Sequence, residues 1–473
     1  MKSLLKFKDS YKMHIINQYN YGVAEKILIT STPTALFTEG YNLTFASGSL
    51  QMDWDDGSPV ENFVSGVELT HQYVIAGTFI KKITGNLENI TKFIADNNRI
   101  TSISGLKTGL LTDFRINNNL FSGVLDMSFA PVSGTFWIYS NPSLTGVAFA
   151  LTGNSTVTNA RYYSCNITGV LDLSNVPVGA IIRGNLNPNL TGITFASSGN
   201  SKLTYFDFSG CNITGTFDLN NVPVSGTFLI YSNSLLTGIT FASSGNTIIT
   251  DLRFNSCGIV GVLDLSNVPV GTNLIGYSNT LLTGITFASS GNSIINAFRL
   301  YSCNITGVLD LSNVPIAGLF FVYSNSLLTG ITFSTTGNSI CLGMRFYGCN
   351  ITGTLDLSNV PIGGVGSSIQ VYGNLLLTNV ILSSTGNGII SDLLAYNCSL
   401  TNIDFSVFPT SDGVFINAIN NTFSATEHDN QLINLDSTGW INGGLQILTG
   451  NTARTAASDT AYNNLIANGW TIT

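Results

Sequence analysis

The chain reads as a mainly β solenoid, and three observations carry that reading. The block LTGITFASSGN or a near copy returns at Leu190, Leu236, Leu282 and Leu328, 46 residues apart each time. Each block is itself double, because both halves carry the spacing L-x-x-L-x-L-x-x-(N/C)-x-L, as at Leu203, Phe206, Phe208, Cys211 and Ile213. The segments between are Thr-, Ser-, Asn- and Gly-rich turns. A fixed period of this length marks a unit that cannot bury its apolar face alone and stacks on its neighbours instead.

Residues 1–22 contain lysines but no continuous apolar core, which makes a poor secretory signal and suggests an N-terminal arm. A run of β-like segments follows, EKILIT, YNLTF, LQMDW and TFIKKIT, separated by Gly, Ser and Pro turns. Within it, Asp53-Trp54-Asp55-Asp56-Gly57-Ser58, then His71-Gln72-Tyr73 and Ala76-Gly77-Thr78-Phe79, resemble the WDFGDGS and H-x-Y-x-x-A-G-T-Y motifs of a PKD-type immunoglobulin-like domain. The resemblance covers residues 23–85, lacks the Phe-Gly between Asp55 and Asp56, and implies a small β-sandwich. Three close carboxylates, Asp53, Asp55 and Asp56, suit calcium, but a turn between strands is the favoured reading.

From residue 86 to 450 the repeats run on. The N/C position forms a ladder: Asn98, Asn119, Asn141, Cys165, Asn187, Cys211, Asn233, Cys257, Asn279, Cys303, Asn325, Cys349, Asn374, Cys398 and Asn421. Its steps alternate between 22 and 24 residues for most of the length, so two kinds of turn were duplicated as a pair. The pattern resembles the leucine-rich-repeat family and implies about 15–17 turns of 22–24 residues. An inward Asn is expected to bond the backbone of adjacent turns. Cys on the same rung is small and tolerates burial. Cys165, Cys211, Cys257, Cys303 and Cys349 sit two turns apart, about 9.6 Å by strand spacing and too far for disulfides, so all seven cysteines are expected as buried thiols. Residues 451–473 read as a cap, with a short helix from Ala456 to Asn468, a stop at Gly469 and a last strand through Trp470.

Composition narrows the function. A net charge of −8 with no run of Lys or Arg argues against nucleic-acid binding. No stretch approaches the roughly 20 apolar residues of a membrane span. The three histidines, His14, His71 and His428, lie in separate regions, so no triad or zinc set is evident. Glu427-His428-Asp429 reads as a polar cluster on a solvated loop. Asp126, Asp172, Asp218, Asp264, Asp310, Asp356 and Asp404 recur in the LDLSNVP segment and are expected to satisfy turn backbone.

The outward columns are the most informative feature. Two residues before the rung stand Tyr139, Tyr163, Tyr231, Tyr277, Tyr301, Tyr323, Tyr347, Tyr372 and Tyr396; the column four before the rung holds Trp137, Arg161, Arg253, Arg299, Phe321 and Arg345. Cross-strand packing alone would account for such columns. Yet Tyr, Trp and Arg are also the residues that carry binding energy, and exposed aromatic patches mark interaction surfaces. The expectation is therefore a non-enzymatic adhesion or host-recognition protein that binds a cell-surface protein or glycan through an exposed aromatic sheet. A PKD-like domain followed by leucine-rich repeats is similar to an arrangement in Bacteroidetes surface proteins and structural proteins of their phages. That resemblance, with free thiols and no export signal, implies a virion component assembled in the host cytoplasm, or else an extracellular or cell-surface protein. Expected partners are virion or cell-surface proteins, a surface glycan or further copies of the chain, with no cofactor and no metal. The alternatives are a purely structural virion decoration protein and, last, a β-helix polysaccharide depolymerase.

Overall fold

The computed structural model describes residues 26–473, so the expected arm over residues 1–22 lies outside the described residues. The chain divides into two compact units: one ends at Val157 and takes in Ser164–Asn166, and the other comprises Thr158–Tyr163 and Ile167–Thr473. The fold is mainly β, with a β-solenoid of about 15 turns and short C-terminal helices.

The first unit opens with antiparallel strands whose alternation puts Ile27, Ile29, Tyr41, Leu43, Leu50, Met52 and Ile83 inside. Ile27–Ser31 lies between Phe79–Gly85 and Ile100–Ser104, and Leu50–Asp53 joins Phe79–Gly85 to Glu61–Asn62. A second group sets Thr38–Phe45 between Glu68–Gln72 and Ile90–Ile94. On its other side Ile90–Ile94 takes Leu111–Arg115 as a parallel neighbour, which in turn pairs with Val132–Trp137. The first repeat turn therefore presents no bare edge, since the N-terminal strands occupy its backbone donors and acceptors.

A charge is buried among these strands. Lys81 and Glu39 are both fully buried, with Nζ 2.5 Å from Oε2. The Ser31 and Tyr41 hydroxyls donate to the same carboxylate at 2.5 and 2.8 Å, and Nζ also donates to Ser31 Oγ. Burial lowers the Lys81 pKa while Glu39 opposes the shift. Burial, then Glu39, pushes the Tyr41 phenol well up.

In the second unit the strands from Val178–Arg183 to Thr471–Ile472 stack in parallel, one per turn. A second strand in each of the regular turns pairs only within its 46-residue block, as Gly261–Leu265 does with Leu282–Phe287. Phenylalanines stack inside, Phe206 on Phe228 at 4.4 Å and Phe298 on Phe320 at 4.8 Å. The recurrent Asp behaves as expected. Asp126, Asp172, Asp218, Asp264, Asp310, Asp356 and Asp404 each accept the N–H of the residue two ahead at 2.9 Å.

The rung bears out the inward-Asn expectation and shows how Cys can take the same place. Asn233 Nδ2 donates to Ile230 O in its own turn at 2.7 Å and to Phe208 O in the previous turn at 2.9 Å, while its Oδ1 accepts from Ile213 N. Cys257, one turn on, donates Sγ–H to Ile230 O at 3.4 Å. The same carbonyl thus serves both neighbours, one lone pair each. Gly276 O, Val322 O and Val371 O repeat the arrangement with Asn279 and Cys303, Asn325 and Cys349, Asn374 and Cys398. Where two Asn rungs follow each other the carbonyl is shared in the same way, Ile116 O accepting from both Asn119 and Asn141 at 2.9 and 3.1 Å, so Cys is a smaller substitute that keeps the bond to the previous turn.

The C-terminal helix is present as expected, slightly shorter: a 3₁₀ turn Ala456–Ser458 leads into α2, Asp459–Ala467, and Gly469 follows at φ 87°. A longer helix, α1, Ala425–Ser437, lies inside the span 86–450 read as repeats. Ser424 and Glu427 form its capping box. This corrects the solvated-loop reading of Glu427-His428-Asp429, because helical spacing turns His428 and Asp429 inward to full burial. His428 Nδ1 meets Thr452 O at 2.8 Å, and Asp429 accepts from Thr455 and Ser458. Among the described residues no helix is long and apolar enough to cross a membrane.

Two outcomes follow from these contacts. Lys81→Met should lower stability by about 3–5 kcal/mol because it strands a buried carboxylate, and adding Glu39→Leu should recover most of that loss; urea denaturation of the single and double variants measures it. All seven cysteines are free and buried, and burial pushes the rung thiols up to about 11. Native protein at neutral pH should therefore resist iodoacetamide, whereas denatured protein takes up one adduct per cysteine by mass spectrometry.

Candidate functional site

In the second unit the rung puts large side chains into register on the solvent side. A tyrosine follows the ladder strand by two residues and is succeeded by a left-handed residue, Ser278, Ser302 and Ser324 at φ 54–58° or Gly348 at φ 64°. That turn re-aims the chain toward the buried rung and leaves the ring lying across the strand ends. Tyr277, Tyr301, Tyr323, Tyr347, Tyr372 and Tyr396 form one face-to-face stack, with centroids 4.6, 4.5, 4.4, 4.6 and 4.4 Å apart and planes within 15°.

The stack corrects the expectation of an exposed aromatic sheet. Each of these rings is only partly accessible, because its neighbours cover its faces. What the solvent meets along the run is a row of ring edges and hydroxyls, so the inner rings have no free face for a sugar. Burial first, then repulsion from neighbouring phenols, pushes Tyr323 and Tyr372 up to about 12. Tyr231 stands outside the run, since its column neighbours are Ser209 and Asn255.

The arginine column is sorted by its partners. Arg253 is held by Asp251 at 2.8 Å, and Arg161 donates to Asn159 Oδ1 at 3.1 Å. Arg299 and Arg345 flank Phe321, their guanidinium carbons 5.8 and 4.4 Å from the ring centroid. Sequence reasoning passed over Arg183, which lies over Tyr163 and Tyr205 at 4.8 and 5.4 Å, although it occupies the same column. In the first unit Trp137 and Tyr139 are 6.1 Å apart, and Arg115, likewise passed over, covers Trp137 at 4.3 Å while gripping Asp113. The expected site residues thus fall into several groups. The largest unites the six stacked tyrosines with Arg299, Phe321 and Arg345.

The other candidates do structural work. Asp53 accepts from Asp55 N–H and pairs with Lys82, Asp55 accepts from Ile80 N–H, and Asp56 accepts from Ser58 N–H and holds His71 at 2.7 Å. These are contacts within and beside a turn between strands. His71 in turn stacks on the buried Trp54 at 4.6 Å. Set against protein-family models, curated proteins and solved structures, the chain matches none.

The tyrosine stack has its own spectroscopic consequence. Phenolate absorbance should keep rising at about pH 12, where Tyr323 and Tyr372 ionise. Replacing both by Phe should reduce that rise and leave the still later contribution of the buried Tyr41, Tyr73 and Tyr162, whose phenols burial pushes higher.

Proposed function

We propose that this is a non-enzymatic recognition protein that attaches to a cell-surface partner through the tyrosine-bearing face of its ladder. One observation supports the reading above the rest. The column that holds the stacked tyrosines also accommodates Ser209 and Asn255, so the fold has no need of an aromatic there. An unbroken run of six large, half-buried rings is therefore better accounted for by a surface that other molecules meet.

The proposal extends to setting. A PKD-type N-terminal domain, a leucine-rich-repeat solenoid and reduced thiols fit a phage virion protein, assembled in a host cytoplasm and exposed on the particle, better than they fit a secreted enzyme. A decoration protein without a ligand is the second reading, since stacked rings also stiffen a ladder. The depolymerase reading draws least support, because the recurrent carboxylates are each engaged in their own turn.

Adsorption of the full-length labelled chain to candidate host cells tests this. Changing Tyr277, Tyr323 and Tyr372 to Ala should lower adsorption at least about tenfold while circular dichroism stays that of a folded β protein. Undiminished adsorption by the folded variant would move recognition to another face.

A further inference from the structure

The arginine column varies in whether an acid stands two residues ahead. Asp251 precedes Arg253 and takes its Nε–H. Ahead of Arg299 and Arg345 the same column holds Ala297 and Gly343. Among the described residues neither guanidinium is in an ion pair. Both Nε atoms are buried without an acceptor. The acid of that column nearest to Arg345, Asp392, is taken by the Ser368 hydroxyl at 2.5 Å. Two uncompensated cations on one face of a chain with net charge −8 call for an explanation that packing on Phe321 does not supply.

We propose that Arg299 and Arg345, together with the hydroxyls of Tyr301, Tyr323 and Tyr347, bind a carboxylated polysaccharide, a chain of uronic-acid sugars laid along the ladder. This rests on the recognition reading and names its ligand class. A guanidinium takes a carboxylate by two parallel hydrogen bonds. The two arginines sit two rungs apart, with Phe321 between them in register, which sets their Cα atoms about 9.6 Å from each other. An extended acidic peptide shows same-side acids every second residue, about 6.7 or 13.4 Å, out of step with that interval. Between the cations the tyrosine edges supply a row of neutral donors and acceptors, which suits sugar hydroxyls. A nucleic acid would require many more cations than two.

The test uses the full-length chain, with polygalacturonate, neutral dextran and polyglutamate as probes in a calorimetric or biosensor titration. Polygalacturonate should bind and weaken with salt, and dextran should not bind. Arg299→Gln with Arg345→Gln should weaken polygalacturonate at least tenfold (about 1.4 kcal/mol). Ala297→Asp should weaken it several-fold with both arginines intact, because it supplies the acid that Arg253 already has. Arg253→Gln should change nothing. The inference is overturned if polygalacturonate does not bind, if the arginine and Ala297 variants bind like the parent, or if polyglutamate binds as tightly. Cell adsorption without polygalacturonate binding would remove this ligand class and leave the recognition reading standing, whereas loss of both would end the two together.

Discussion

The buried side-chain amide at the end of each alternate ladder strand is what the rest of the structure hangs on. Where the chain leaves the strand it must turn, and its carbonyls point inward without a strand partner. An unpaired backbone group there would cost on the order of 1–3 kcal/mol. Asn233 and its equivalents bridge two such carbonyls in adjacent turns, and the intervening thiol takes the remaining lone pair. The amide therefore fastens each turn to the one before, not merely to itself. Register along the ladder is set at this point, and a slip would leave several polar groups stranded at once.

Register then decides what happens on the outer face. Turns about 4.8 Å apart bring like residues nearly into van der Waals contact, and flat rings in one column must lie face to face. The observed 4.4–4.6 Å between tyrosine centroids is the ladder spacing slightly closed by ring tilt and stacking. Surface chemistry is thereby quantised, because a ligand meets the same group at each rung. Variation enters only where a column changes residue, as at Ala297 and Gly343, and those changes set local charge. The ends obey a different rule. Antiparallel strands cover the first turn, and at the other end α1, α2 and the Trp440–Trp470 contact accompany the last strands of the ladder.

The repeat period, the Asn and Cys rung, the turn role of the recurrent Asp and the last helix were all legible in the sequence. Each is a local rule, a residue type at a fixed offset, and duplication wrote it many times over. Helix α1 was legible in part, since Ser424 and Glu427 stand at capping-box spacing, but its polar run Glu427-His428-Asp429 disguised two residues that the helix buries. The outward columns were legible as columns. Their accessibility was not, because a ring's exposure depends on the neighbour one turn away and not on its own segment.

Amino-acid sequence by itself determined that this chain stacks on itself, which side chains face in, and that its thiols stay apart. Tertiary structure alone decided that the tyrosines spend their faces on one another, that Lys81 and Glu39 neutralise each other inside, and that Arg299 and Arg345 both lie against Phe321. The reason is the range of the forces. Periodicity and turn chemistry act within a few residues along the chain, whereas ring stacking and the buried Lys81–Glu39 pair are fixed by residues 20 to 50 positions away, whose proximity exists only once the turns have closed.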